Sequence, residues 1–314
     1  MHSGELTVVL LNWNAMGETC DCLRRLVAWT QIRPHIYVVD NDSTDNSVNA
    51  ISSEFPTVEL LLNEANTGFS GGNNIAFKEI SARLPDNSIF DPSHFILLLN
   101  NDAFIEEEDL IVLIESLAAN PEVGVTGPLL FNGHDSDELL SAGGLDPAEN
   151  GRTYWAGNEA EEHIGRTTIP YAVDYVSGTV ALIRGQVVRE VGFFDEDYFF
   201  SCEMADLCER IKQKGYLCTI NPQVRAWHDM HSSGKYRDTL YLYYSLRNRF
   251  LFIRKFRRDK LYRLFCYWIV VGGKGMLKSL LTGKVATVRA YALALYDGVL
   301  GRYGGKNKLF LDSV

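Results

Sequence analysis

The sequence predicts an α/β fold: a mainly parallel central sheet flanked by helices, followed by a basic helical C-terminal extension. Three observations carry this. Short apolar, β-branched runs alternate with segments of helical spacing from Leu6 to Ala119. The runs end in Asn or Asp. Charge is divided along the chain: residues from Lys235 to Val314 hold 17 Lys and Arg against 4 Asp and Glu, while the whole 314-residue chain has net charge −10.

The elements follow in order. LTVVLLN, Leu6–Asn12, is too β-branched for a helix and reads as a buried strand. Thr19–Thr30 has helical spacing, with Cys22, Leu23, Leu26 and Val27 on one face. IYVVD, Ile36–Asp40, is a second strand, and DSTDNSVNAISSEF opens a helix with capping residues. VELLL, Val58–Leu62, is a third strand, and Gly71–Ile80 a helix entered through Gly and Asn. FILLL, Phe95–Leu99, is a fourth strand, followed by a helix over Glu106–Ala119. Strands alternating with helices imply a parallel sheet covered on both faces.

The second half is less regular. Asn132–Ile169 is rich in Gly, Asp and Glu and reads as loops over a site. AVDYVSGTVALIR, Ala172–Arg184, is strand-like on both sides of Ser177-Gly178, and Ala205–Lys214 is a helix stopped by Gly215. No Pro follows Pro222, which suits a helical extension. Six cysteines form no CxxC framework, and with no signal peptide at Met1 they read as reduced cytosolic thiols. No apolar run reaches the roughly 18–20 residues of a bilayer span; the best is Leu264–Gly273. The basic, aromatic composition from Lys235 onward points to contact with an anionic membrane surface, against the plainer reading of a solvated face with one core helix.

In parallel α/β sheets ligands bind at the carboxyl ends of the strands. Here those ends carry Asn12 and Asn14; Asp40, Asn41 and Asp42; Asn63 and Asn66; and Asn100, Asn101 and Asp102. One such end is a turn signal. Four on one edge make a polar ligand site.

Seven blocks in order, VVLLNWN, VVDNDSTDNS, NTGFSGGNN, LLLNNDAF, YVSGTVALIR, VGFFDEDYFFSCEMADLCERIKQKGY and AWHDMHSSG, resemble glycosyltransferase family 2, with bacterial rhamnosyltransferase-like members nearest. The resemblance covers Leu6 to Gly234, with a weaker echo in YYSLRNRFLFIRK. It implies the GT-A nucleotide-diphospho-sugar transferase fold, with a catalytic domain over 1–234. Its nucleotide-binding half is about 1–131 and its acceptor half about 132–234, before the helical tail of 235–314. The implied activity is inverting transfer of a sugar, rhamnose or another hexose, from a dTDP- or UDP-sugar to a glycan or polyprenyl-diphosphate-linked acceptor in cell-surface polysaccharide synthesis. The implied location is the inner face of the plasma membrane, with no nucleic-acid partner.

The resemblance also implies residue roles. Asp102 stands where the family carries its Asp-x-Asp motif and would hold Mg²⁺ or Mn²⁺, a hard cation suited to a diphosphate, with His228 as second ligand. Asn100 and Asn101 would contact ribose or phosphate, and Asp40 the base or ribose; Asn12, Asn14, Asn41, Asn66, Gly71 and Asn73 complete the donor site. Ser177, Gly178, Asp195 and Glu196 would lie toward the acceptor. His231 is a spare ligand candidate, Ser232, Ser233 and Gly234 would close over the diphosphate, and Arg247 and Arg249 would reach phosphates, unless they face membrane or solvent.

The base is where the sequence departs from the family. CEMADLC puts Met204 at the position of the usual catalytic Asp, leaving Glu203 or Asp206, three apart on one helical face, as the proton acceptor. Two alternatives stand beside this reading. A nucleotidyltransferase would want a basic, Gly-rich loop after the first strand, and NWNAMGETCDC has one Gly and no Lys or Arg. A nucleotide- or glycan-binding homologue without activity would explain Met204.

Overall fold

The computed structural model describes residues 6–83, 93–133, 136–165, 167–229 and 237–311. Its first half alternates as the sequence predicts: β1 (Leu6–Asn12), α1 (Met16–Val27), β2 (His35–Asp40), α2 (Ser47–Glu54), β3 (Glu59–Leu62), α3 (Gly68–Arg83) and β4 (Phe95–Asn100). There follow β5 (Ala103–Ile105), α4 (Glu107–Ala119), β6 (Val123–Asn132), β7 (Leu139–Ser141), α5 (Gly157–Ile164), β8 (Tyr171–Ala172), β9 (Val180–Arg184), α6 (Gly185–Val191), α7 (Glu203–Gln213) and β10 (Leu217–His228). The chain closes with α8 (Arg237–Phe256), α9 (Leu261–Leu281), α10 (Val285–Leu300) and α11 (Lys308–Leu311).

The main path of the sheet runs β3-β2-β1-β4-β9-β6-β10-β5. The strands from β3 to β4 are parallel, and the sheet becomes mixed at β9, which is antiparallel to both β4 and β6. Both faces are covered, so the strands are apolar on both sides. In β1, Val9 joins one core cluster while Leu6, Val8 and Leu10 join the other; in β4, Ile96 and Leu98 face opposite to Phe95, Leu97 and Leu99.

Several boundaries shift for physical reasons. α1 begins at Met16 rather than Thr19, and Val27 is exposed because the buried stripe runs through Cys20, Cys22, Leu23 and Leu26. α3 begins at Gly68, so Gly71 and Gly72 lie inside it. They are small because the helix packs close: a Cβ on Gly72 would come within 2.8 Å of Leu11 Cδ2. The expected loops of Asn132–Ile169 contain β7 and α5. α7 takes in Glu203 and ends, as predicted, before Gly215 at φ +91°.

The extension is the largest revision. α8 is core, not appendage: Tyr243, Tyr244, Arg247, Asn248, Phe250 and Ile253 are all buried. Arg247 and Arg249, expected at phosphates, are spent on backbone. Arg247 donates to the carbonyls of Asp197, Tyr198 and Gly304, and Arg249 to those of Pro147, Asn150 and Gly151. Lys255 pairs with Asp195 and Asp206, Arg257 with Asp146 and Glu209, and Lys260 with Glu149. Much of the tail's positive charge is thus matched inside the molecule. The membrane expectation also changes: the helical stretch Arg258–Leu281 is long and apolar enough to cross a bilayer, by length and composition. The apolar run Leu264–Gly273 ends at Lys274, yet the helix continues through Lys274 and Gly275 to Leu281.

Candidate active site

Register brings the strand ends together. Asn12 pairs with Asp40 across β1 and β2, Leu11 with Asn100 across β1 and β4, and Asp40 with Leu62 across β2 and β3. The polar ends therefore share one sheet edge. On the far side of β4, the amide of Asn100 donates to Thr179 O at 2.9 Å, which sets Ser177-Gly178-Thr179 at the same edge.

Two contact chains leave the adjacent residues Asn101 and Asn100. Asn101 Nδ2 donates to Thr19 Oγ1 at 2.8 Å, Thr19 Oγ1 donates to Asn12 Oδ1 at 2.6 Å, and Asn12 Nδ2 donates to Asp40 Oδ2 at 2.6 Å. Asp40 Oδ1 takes the amide of Ser43 at 2.9 Å. A network this short and buried fixes its members rigidly. The other chain runs through Thr179 to Ser177, whose Oγ lies 3.5 Å from Tyr154 Oη; burial raises the Tyr154 phenol, with smaller electrostatic contributions from Tyr241 and Glu203.

Asp102 and His228 are neighbours because β5 and β10 pair antiparallel with Ala103 opposite His228, and the Asp229 amide donates to Asp102 O at 2.9 Å. Asp102 Oδ1 lies 3.1 Å from His228 Nε2, yet that oxygen is buried and accepts no aligned hydrogen bond. An orphaned buried carboxylate oxygen is costly. Adjacent ligand atoms on an octahedral cation with bonds of about 2.1 Å lie about 3 Å apart, so the pair fits a shared divalent ion. No cluster of three or more His, Cys, Asp or Glu stands there among the described residues. Two protein ligands are what a Mg²⁺-type site needs when substrate phosphates supply the rest.

Other expected donor residues are held by the protein. Asn41 donates to Gly68 O and accepts from Asn63, fixing the loop before α3. Asn14, at φ +52°, accepts from the Thr44 and Asp45 amides. Asn66 Oδ1 takes the Gly68 amide, and Asn73 donates to Phe69 O within its helix. A Cβ on Gly71 would meet Thr67 Cβ at 2.5 Å. The opening amides of α3 do not face a phosphate: those of Phe69 and Ser70 donate to Phe199 O. These residues shape the site's wall.

The segment 193–202, expected on the acceptor side, is bent through three positive-φ residues, Phe199, Ser201 and Cys202, and pinned from α8. Asn248 Nδ2 donates to the carbonyls of Tyr198, Phe200 and Ser201 at 2.6–2.9 Å. Beyond the bend, Glu203 opens α7. Its carboxyl is buried, Oε2 has no partner, and desolvation pushes it up to about 7, opposed only by its own amide. Met204 is buried against Gly178, where a Cβ would lie 3.0 Å from its Cγ.

Asp206 is a correction to the sequence reading. It is fully buried with both oxygens engaged, Oδ1 by Arg210 at 2.7 Å and Oδ2 by Lys255. Three residues on a helix share a face only loosely, and here the core takes Asp206. Asp195 is bound to the same Lys255 at 2.8 Å, and Glu196 accepts from Asn74 at 2.9 Å, so both brace this segment. His231, Ser232, Ser233 and Gly234 lie outside the described residues.

Sequence reasoning passed over Thr19, Tyr154, Asn248 and the exposed Trp13, which stands between Asn12 and Asn14 with a flat apolar face. Trp13 and Asn248 lay inside quoted blocks; nothing local marks Thr19 or Tyr154.

The family model "Glycosyl transferase family 2" matches residues 7–192. The chain is 26% identical over 212 residues to the N-acetylglucosaminyl-diphospho-decaprenol L-rhamnosyltransferase of Mycobacterium tuberculosis, covering 64% of this chain and 68% of that protein. It is 21% identical to the low-salt glycan biosynthesis hexosyltransferase Agl10 of Haloferax volcanii, covering 97% and 94%. Among solved structures it resembles GalNAc-T7 with UDP, GalNAc and Mn²⁺, at TM-score 0.59 and 17% identity, over 82% of this chain and 49% of that one. It also resembles the mannosyltransferase PcManGT of Pyrobaculum calidifontis with GDP-Man and Mn²⁺, at TM-score 0.55 and 15% identity, over 100% and 79%.

Proposed function

The chain belongs to glycosyltransferase family 2, and on that premise we propose that it transfers a hexose or deoxyhexose from a nucleoside-diphosphate sugar to a polyprenyl-diphosphate-linked glycan, with inversion at the anomeric carbon. It has the family's GT-A fold and is a glycosyltransferase. The observation that carries the site reading is the Asp102–His228 pair, a buried, unsatisfied carboxylate oxygen 3.1 Å from an imidazole nitrogen at the ligand edge of the sheet. The decaprenol-linked substrate in the name of the mycobacterial relative supports the acceptor class, and the dTDP- or UDP-sugar donor expected from the family remains the proposed donor class.

The donor's nucleoside lies along the edge formed by Asn12, Asp40 and Trp13. Asp102 and His228 would hold a Mg²⁺ or Mn²⁺ ion, which would supply positive charge for the departing diphosphate. Glu203 takes the acceptor's proton: the hydroxyl oxygen bonds to the anomeric carbon as that carbon's bond to the diphosphate oxygen breaks, and the electron pair leaves with the nucleoside diphosphate. A buried carboxyl near 7 holds both forms at neutral pH, which suits a base that must be reset each turnover.

Calorimetry of nucleoside diphosphates with Mn²⁺, beside turnover of a panel of sugar donors, tests this. Asp102→Ala is expected to lose metal-dependent binding while melting as the wild type does. Unchanged Mn²⁺-dependent affinity removes the metal assignment. The buried Met204 favours one second reading, a donor-binding homologue without turnover; any transfer by the wild type excludes it.

A further inference from the structure

The hairpin of α9 and α10 presents a surface that the transfer chemistry does not use. At its tip Leu277, Leu280, Leu281 and Val285 are 56%, 62%, 79% and 76% exposed. They surround the turn rather than forming one flat face, and every residue from 277 to 285 except Ser279 is exposed. Exposed apolar patches of this kind mark interaction sites. Lys278 and Lys284 lie within the tip and Lys274 one turn before it. None of these lysines forms an ion pair among the described residues, in contrast to Lys255, Arg257 and Lys260. Between Asp259 and Asp297 the chain has no acidic residue and six basic ones.

α9 is long and apolar enough to span, but its inner face is committed. Leu264 and Trp268 are buried, Trp268 Nε1 donates to Ala148 O at 2.7 Å, and Gly272 sits so close to Leu246 and Leu295 that a Cβ would clash at 2.8 Å. α10 is tied similarly, with Gly298 against Phe250 and the buried Asp297 accepting from Tyr243 Oη at 2.6 Å. A helix bound along one side to the catalytic body cannot leave it to cross a bilayer without unpacking these contacts.

We propose that the α9–α10 hairpin is a monotopic anchor whose tip, Leu277 to Val285, enters the interfacial layer of an anionic bilayer while α9 stays packed on the body. An exposed apolar tip carrying lysines that make no ion pair among the described residues matches acyl chains beneath anionic headgroups. The sharpest rival occupant, a second copy, would need a matching apolar groove.

The full chain is to be floated with phosphatidylglycerol vesicles and with phosphatidylcholine vesicles, with melting and nucleotide binding followed on the same samples. Strong binding is expected only to the former, weakened but not abolished by salt. Leu280→Glu with Leu281→Glu should reduce binding more than about tenfold. Lys278→Ala with Lys284→Ala should reduce it less and flatten the salt dependence. Wild-type binding by the glutamate variant overturns the proposal, as does equal binding to both vesicles. Exchange between vesicle populations supports an anchor, whereas protein that never exchanges marks a spanning helix and overturns it. So does a dimer in gel filtration without vesicles that the glutamate variant disperses. Because the readout is vesicle binding, the result is separate from whether the protein transfers sugar.

Discussion

Glu203 is the residue on which chemistry and stability pull in opposite directions. Desolvation raises its carboxyl from 4.5 to about 7, so the folded protein holds that proton more tightly than the unfolded chain. The stability this contributes is full below 4.5 and is lost as pH rises through about 7. Glu203→Gln, which mimics the neutral form, should therefore melt close to the wild type at pH 5 and above it at pH 8. Transfer should do the reverse: the wild-type rate climbs through about pH 7 as the carboxylate forms, and the variant loses about 10²–10⁴-fold while keeping donor affinity. Melting and pH–rate profiles on the same preparations check both halves; a variant with wild-type rates moves the base elsewhere. Asp206→Asn should act differently. It takes from Arg210 and Lys255 the buried carboxylate they share, leaving Lys255 with Asp195 alone, and lowers stability across the pH range.

At the scale of elements, the segment 193–202 and helix α8 form one unit. Phe199, Ser201 and Cys202 occupy left-handed backbone conformations that cost of order 1 kcal/mol or more each unless the surroundings hold them. Asn248, fully buried, is the holder, and its two N–H donors are shared among three carbonyls of the bend. Asn248→Ala should cost roughly 2–4 kcal/mol, since buried acceptors lose their donor, and transfer should fall beyond what donor binding does, because the bend delivers Glu203. A denaturant midpoint within error of the wild type would show that Arg247 alone suffices. The same bend caps α3 through Phe199 O, which is why the glycine loop packs inward and Gly68, at φ +73°, sits beneath Phe199.

For the whole molecule, residues 237–311 pack into the same core as the preceding strands and helices. Lys255 pairs with Asp195 and Asp206, and Arg257 with Asp146 and Glu209. Truncation before Lys235 removes these cations and the buried rings of Tyr243, Tyr244, Phe250 and Phe252. The remaining fragment is expected to be insoluble or unfolded rather than a working domain freed from its tail; a soluble fragment with a cooperative melt and wild-type nucleotide affinity would contradict this.

The sequence by itself determined the alternating half of the fold and the polar edge, because β-branched runs, helical spacing and Asn or Asp at strand ends are local properties of the chain. It also determined the family, since seven blocks in order leave little else. It pointed to Asp102 and His228 through those blocks, but not to their approach, which depends on β5 reversing to pair with β10. Which partners the polar residues meet was decided in three dimensions: Asn12 and Asn14, two apart, bond to different residues across different strands and loops. The same holds for Glu203 and Asp206, alike on paper. The bend before α7 leaves one carboxylate oxygen, Glu203 Oε2, without a partner among the described residues, while Lys255, about fifty positions later in the chain, claims Asp206. Charge pattern read along the chain could not show that pairing, because an ion pair between distant segments exists only once the core has brought them together.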